Sequence, residues 1–234
     1  MKLIYNKNTY TKNKIKKIHK IIGNYLDSSD QSFNRNPYVR ESHNCYMYFL
    51  NKKNNEVVEL CKKDYKYHKI CRRAQPGYIS GFKQLTKSDY NCPTMLKRTL
   101  SDNKLIYNVS EKGTCKDDFY KGALVVAPKR DYHYYRYNDD DIWTHKPGYK
   151  PSTMFDSNNN FITNPRLAAR DYGGTLNYKD FCGYLCVPRE DKLKIMSHRP
   201  NNENNKNQAG GSARKFKKIK NAKLKNAKLK VQRK

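Results

Sequence analysis

The stretch from Asp131 to Gly148, DYHYYRYNDDDIWTHKPG, constrains the fold more than any other part of the sequence. It alternates as a strand does, breaks at a run of Asn and Asp, and resumes until a Lys-Pro-Gly stop. The pattern predicts a β-hairpin with one histidine on each arm, His133 and His145. A loop of three or five residues would place these two opposite each other, and an even loop would turn them to opposite faces. Without a nucleophile elsewhere, both are equally well explained as half-buried hairpin residues.

Two further stretches predict strands beside this hairpin. The most apolar run, Lys121 to Pro128, predicts the central strand and leads directly into the first hairpin arm. The segment from Tyr178 to Pro188 predicts a last strand, whose Cys182 and Cys186 would share one face but stand far apart. Residues 149–172 are expected to form a long loop.

A cysteine opens the first helix predicted in the middle of the chain. Ser42 or Asn44 is a suitable N-cap, and the apolar run from Cys45 to Leu50 suits a buried helix. In the first helical turn, unpaired backbone N–H groups and the helix dipole favour a thiolate. Cys45 is therefore the candidate nucleophile.

A Cys-His hydrolase or transferase needs an imidazole facing such a thiolate. The hypothesis is that Cys45 attacks an amide or ester and that His133 takes the proton. Helix N-terminal amides would contribute to the oxyanion hole. A third group would orient or replace the base, and the sequence leaves three candidates for it: His145, Asp156 and Asn164. A degenerate enzyme that keeps the hairpin without turnover is an open alternative.

A rival nucleophile lies further along the chain. Cys92, in Tyr-Asn-Cys-Pro, also opens a predicted helix, which Ser88 or Asp89 could cap. Pro93 at the first helical position suits an ordinary helix start as well. Cys45 is preferred to Cys92.

The seven cysteines carry information on the cellular compartment and on metal binding. No apolar signal segment follows Met1 and no apolar run could span a membrane, so we expect an intracellular chain with reduced thiols. The odd number leaves at least one cysteine unpaired in any intramolecular disulfide scheme. A zinc site is disfavoured because no C-x2-C pair occurs, and no cofactor is expected. The potential zinc ligands are better explained as buried small side chains: Cys61, His68, Cys71, Cys115, Cys182 and Cys186.

The middle of the chain, roughly 43–188, resembles an uncharacterised group of proteins from bacteria and giant DNA viruses. The stretches that carry the resemblance are HNCYMYFLN at 43–51, AQPGYISG at 74–81, KGALVVAPKRDYHYYRYNDDDIWTHKPG at 121–148, FITNPRLAARDY at 161–172 and YKDFCGYLCVP at 178–188. The hairpin with two histidines is also similar to that of NlpC-type peptidases. This resemblance implies a papain-like α+β fold with a Cys-His-His site, and its Asn-Cys-Tyr element favours Cys45.

The charge is concentrated at the two ends. Residues 1–26 hold seven Lys and no acid, and residues 210–234 hold eleven Lys or Arg and no acid, so the ends carry eighteen of the net +28 charges. Such segments usually bind nucleic acid or another polyanion without sequence preference. The alternative to a hydrolase is therefore a non-enzymatic basic protein, packaged in a virion or associated with nucleic acid.

The predicted organisation follows from these patterns. Residues 1–13 are expected to be disordered, 14–39 to form a basic amphipathic helix and a loop, and 191–234 to form a disordered basic tail. Between them, residues 40–190 are expected to form a papain-like α+β domain with N-terminal helices packed on a small antiparallel sheet.

Overall fold

The computed structural model describes residues 29–189 except 69, 70, 72 and 140. This part is a mixed α+β structure, as expected. The predicted segments 1–13, 14–26 and 191–234 lie outside it. Its four α-helices are α1 (Pro37–Ser42), α2 (Cys45–Phe49), α3 (Asn55–His68) and α4 (Cys92–Asp102). Its five strands are β1 (Tyr107–Val109), β2 (Phe119–Ala127), β3 (Asp131–Tyr137), β4 (Trp143–His145) and β5 (Asp180–Pro188).

The five strands form one antiparallel sheet in the order β1-β5-β2-β3-β4. The apolar run predicted as the central strand is β2, and it has neighbours on both sides. Its residues from Ala123 to Ala127 are buried, so the middle of this strand is covered on both faces. This explains why it is continuously apolar rather than alternating.

The predicted hairpin is confirmed, and its register differs from the one expected. Residues 138–142 form a five-residue loop, and Tyr135 rather than His133 stands opposite His145. Our expectation assumed a loop centred one residue earlier. The partner of His145 is displaced by two residues, from His133 to Tyr135. Because this is an even number, His133 and His145 still face the same side of the sheet and are diagonal neighbours.

The helices cover one face of the sheet. Alternation along β3 turns Tyr132 and Tyr134 to this face, where they join Leu124 and Val126 of β2 in one apolar cluster. Gly122 of β2 also lies here, and a Cβ added to it would come within 2.3 Å of the Phe49 ring. The glycine therefore lets α2 approach the sheet closely.

The long segment between β4 and β5 covers the other face. It contains several isolated bridges and turns in place of regular structure, as its polar sequence predicted. Ile162 and Tyr178 from this segment pack with Val125 and Tyr135 of the sheet in a second apolar cluster. We call this side the loop face and the opposite side the helix face.

Local sequence explains where the helices begin. Asn44 caps α2, its side chain accepting from the Met47 N–H at 3.2 Å, and Asn91 caps α4. The cap of α4 is thus neither Ser88 nor Asp89. No sequence pattern predicted α3 or β1. In α3 the apolar residues are interspersed with three Lys and three acidic residues, and β1 has only three residues.

Six of the seven cysteines form disulfides, contrary to the reduced thiols we expected. The pairs are Cys61–Cys71, Cys92–Cys182 and Cys115–Cys186, and Cys45 alone is free. The odd count had required one such unpaired residue.

Cys182 and Cys186 do not share a face as predicted. The pairing of β5 with β2 shifts between Leu124 and Val125, where β5 contains a bulge. The extra residue reverses the alternation, so Cys182 packs on the helix face while Cys186 lies opposite Lys121 on the loop face.

Candidate functional site

The predicted nucleophile and the predicted bases have different surroundings. Cys45 belongs to the cluster on the helix face together with Tyr132 and Tyr134. His133 lies between these two tyrosines in β3 and pairs with Val125, so its side chain points to the loop face. No hydrogen bond joins Cys45 to either His133 or His145 among the described residues; the Cys45 Sγ lies instead near the backbone carbonyl of Tyr132, the residue before His133.

The environment of Cys45 is closed to solvent. The residue is fully buried, and its Sγ lies 4.0 Å from the carbonyl oxygen of Tyr132. Burial raises the pKa of the thiol well above its usual value, and the Asp131 carboxylate raises it further. The helix amides do not offset these effects, so the thiol is protonated at neutral pH.

The structure does bring the two hairpin histidines together. His133 Nε2 lies 2.7 Å from His145 Nδ1, and His145 Nε2 lies 2.9 Å from the carbonyl oxygen of Phe155. A carbonyl can only accept, so His145 donates from Nε2 and accepts at Nδ1 from His133. The chain of hydrogen bonds thus fixes one tautomer for each ring.

Both imidazoles are neutral at pH 7. Burial lowers the pKa of His133 well below its ordinary value, and the neighbouring His145 lowers it further. Burial also lowers the pKa of His145 to about 4, although the Phe155 carbonyl and Asp156 act in the opposite direction. The pair can accept a proton only at acidic pH and stabilises the loop face at neutral pH.

The other candidates for an orienting group have different roles. The Asp156 carboxylate accepts three backbone N–H groups of its own loop. Asn164 donates to Glu111 at 2.6 Å and accepts from the Tyr184 hydroxyl at 2.5 Å. Its amide therefore belongs to a different network.

Cys92, the rival nucleophile, has no free thiol because it forms a disulfide with Cys182. Within the described ranges, no group of three or more His, Cys, Asp or Glu residues could hold a metal ion. None of the helices in those ranges has the length and apolar character needed to cross a bilayer.

Two buried cations that the sequence analysis missed hold the end of α1. Lys146 is completely buried and donates to the carbonyls of Arg40 at 2.6 Å and Gly148 at 2.7 Å. Arg73 donates to the next carbonyl, that of Glu41, at 2.6 Å. Cations at a helix C-terminus are favourable, and burial lowers the pKa of both groups. Their sequence signal, a basic residue followed by Pro or Ala, is too weak to identify them.

A cleft of about 920 Å³ opens on the loop face. It lies between the hairpin loop 138–142 and the segments 111–115 and 161–164. Trp143 lies on its floor, with its ring centroid 5.0 Å from that of Tyr137 and 6.0 Å from that of Tyr184. Trp143 and Tyr184 are buried, whereas Tyr137 is half-buried.

Polar side chains surround this aromatic floor. Glu111 is fixed by Asn164, and Asp139 forms an ion pair with Arg189 at 2.5 Å. The Tyr137 hydroxyl donates to Asp141 at 3.2 Å. This cleft was not predicted from the sequence, although the hairpin carries the only Trp of the chain close to Tyr137 and three consecutive Asp residues.

Comparison with known proteins gives a partial match to a shell protein. No family model matches the chain and no solved structure matches it. The chain is similar to "Insoluble matrix shell protein 1" of Ruditapes philippinarum, with 40% identity over 65 residues. The match covers 28% of this chain and 40% of that relative, so the chain spans less than half of the relative's length.

Proposed function

We propose that this chain is a non-enzymatic, disulfide-stabilised protein that binds polyanions through its basic ends, residues 1–26 and 210–234. The observation that carries the proposal is the eighteen Lys and Arg residues in these two segments, with no acid among them. Such segments attract nucleic acid or an acidic polysaccharide by releasing condensed counterions, independently of sequence.

The cysteine chemistry supports a structural role. Three disulfides are typical of proteins in oxidising surroundings, which favours an extracellular matrix or a mature particle over the intracellular setting expected from the sequence. The relative that the chain matches in part is named for an insoluble shell matrix, a setting of the same kind.

The predicted hydrolase remains the alternative, with an amide or ester substrate. The packing of α2 on β3 is compatible with a papain-like layout, and Cys45 occupies the first position of α2. However, the imidazoles lie on the loop face, and the thiol is fully buried. A buried, protonated thiol that forms no hydrogen bond with either histidine argues against this alternative.

Salt titrations of polyanion binding test the proposal. Anisotropy of labelled duplex DNA, and in parallel of labelled heparin, gives the slope of log K against log salt. In a variant whose eleven cations in 210–234 are replaced by Gln, we expect a smaller slope, by about 0.9 for each lost phosphate contact on DNA. A similar reduction with heparin would show that charge rather than nucleic-acid structure is recognised.

A control neutralises three exposed lysines of the domain, Lys83, Lys87 and Lys104. This variant loses charge while keeping both ends intact, so its slope should remain near that of the wild type. If the control and the variant with a neutral C-terminal segment have equal slopes, the ends are not the binding segments and the proposal fails.

A further inference from the structure

The aromatic cleft on the loop face offers a second binding site, independent of the basic ends. Its volume of about 920 Å³ lies at the upper end of the range for small-molecule sites, ~300–1,000 Å³. The ring of Tyr137 is half-buried at the rim, and the buried rings of Trp143 and Tyr184 continue from it below. Such rings pack well against flat, weakly polar C–H surfaces.

The polar groups around the rings are held in place by one another. The Asn164 amide bonds to both Glu111 and the Tyr184 hydroxyl, and the Tyr137 hydroxyl bonds to Asp141. Carboxylates and amides fixed beside an aromatic ring suit hydroxyl groups, each of which both donates and accepts. A ligand with C–H faces and hydroxyl edges satisfies both features.

The cleft is lined by equal numbers of acidic and basic side chains among the described residues, whereas the ends of the chain carry only positive charge. Among the described lining residues, three carboxylates meet three cations: Glu111, Asp139, Asp141, Lys112, Lys121 and Arg189. Several are already engaged, since Lys121 donates to the carbonyls of Glu111 and Gly113, and Arg189 pairs with Asp139. A balanced and internally paired set of charges gives no net attraction for a polyanion.

From the rings, the fixed polar groups and the balanced charge, we infer that this cleft binds a neutral carbohydrate, an uncharged oligosaccharide that lies on Tyr137. The hydroxyls of the sugar bond to the carboxylate and amide groups at the edge of the cleft. Binding here would attach the domain to an uncharged polysaccharide while the basic ends bind a charged polymer.

The single Trp of the chain makes the test direct, because Trp143 lies in the cleft and all tryptophan fluorescence reports on it. The full chain, with its disulfides intact, is titrated with neutral oligomers of N-acetylglucosamine, cellulose, xylan and laminarin. Sodium chloride at about 0.5 M screens the basic ends and leaves stacking on the cleft unaffected. We expect one of these series to change the fluorescence saturably and to be retained in equilibrium dialysis.

Two variants separate the cleft from other surfaces. Tyr137→Ala should weaken binding by about tenfold, the effect of losing one aromatic contact surface. Tyr38→Ala, which removes an exposed ring on α1 outside the cleft, should bind as the wild type does. The inference is overturned if no neutral oligosaccharide binds by either measurement, if only charged sugars or peptides bind, or if both variants bind equally well.

Discussion

The disulfide Cys92–Cys182 should stabilise the fold more than Cys61–Cys71, although the second pair is more deeply buried. A cross-link restricts the unfolded chain according to the length of the loop that it closes. Cys92–Cys182 spans 90 residues and Cys61–Cys71 spans 10. The chain-entropy relation gives about 4.6 kcal/mol for the long loop and about 2.7 kcal/mol for the short one at 25 °C.

Burial of the cysteine side chains predicts the reverse order of stabilisation, so comparing the two disulfides distinguishes the two effects. Cys61 and Cys71 are 1% and 2% exposed, whereas Cys92 and Cys182 are only partly buried. Their Cα–Cα distances, 4.7 and 5.0 Å, are similar. Replacing both cysteines of the buried pair with Ala should therefore cost more if packing dominates.

Urea unfolding of the two double-Ala variants without reductant measures the difference. The free energy of unfolding, extrapolated to water, should be lower for Cys92→Ala/Cys182→Ala than for Cys61→Ala/Cys71→Ala, by about 2 kcal/mol. If the variant that lacks the short cross-link is the less stable one, the entropic argument is refuted for this chain.

Three further outcomes follow from the structure. Iodoacetamide should leave the native protein unlabelled and should label only Cys45 after unfolding, because that thiol is buried and its pKa is raised; rapid labelling of native protein that is lost in Cys45→Ala would restore the hydrolase hypothesis. Burial lowers the pKa of both His43 and His145 to about 4. Since unfolded histidines titrate near 6.5, stability should be complete above about pH 7 and fall towards pH 4. The loss at pH 5 should be about 2 kcal/mol for each histidine, and an unfolding free energy that is unchanged between pH 7 and 5 would contradict this assignment. Gly122→Ala should lower the free energy of unfolding by ~1–3 kcal/mol, because the new methyl overlaps the Phe49 ring, and thermal unfolding against the wild type measures it.

Residue alternation and apolar runs were sufficient to predict the main strands and the helix that begins at Cys45. The expected hairpin, central strand and last strand correspond to β3–β4, β2 and β5. These patterns are local, and the sheet follows them because the buried residues lie where the sequence is apolar. By contrast, nothing local reveals that Cys92 would meet Cys182, 90 residues away.

The candidate site was harder to predict because it depended on which face of β3 meets the helices. Alternation places Tyr132 and Tyr134 on one side and His133 on the other, and both residue types tolerate burial. Alternation therefore divides the side chains of β3 between two faces, but it does not show which face packs against the helices. The hairpin register was equally ambiguous, since one residue in the position of the loop decides whether His133 or Tyr135 faces His145.

Because of its bulge, β5 is linked by disulfides to structure on both faces of the sheet. Its two half-cystines, four positions apart, point to opposite sides, so Cys182 anchors α4 and Cys186 anchors the segment before β2. Reducing either bond alone leaves the strand attached to the remaining layer. Reduction should therefore release the two faces of the sheet in two separate stages, α4 in one and the segment before β2 in the other.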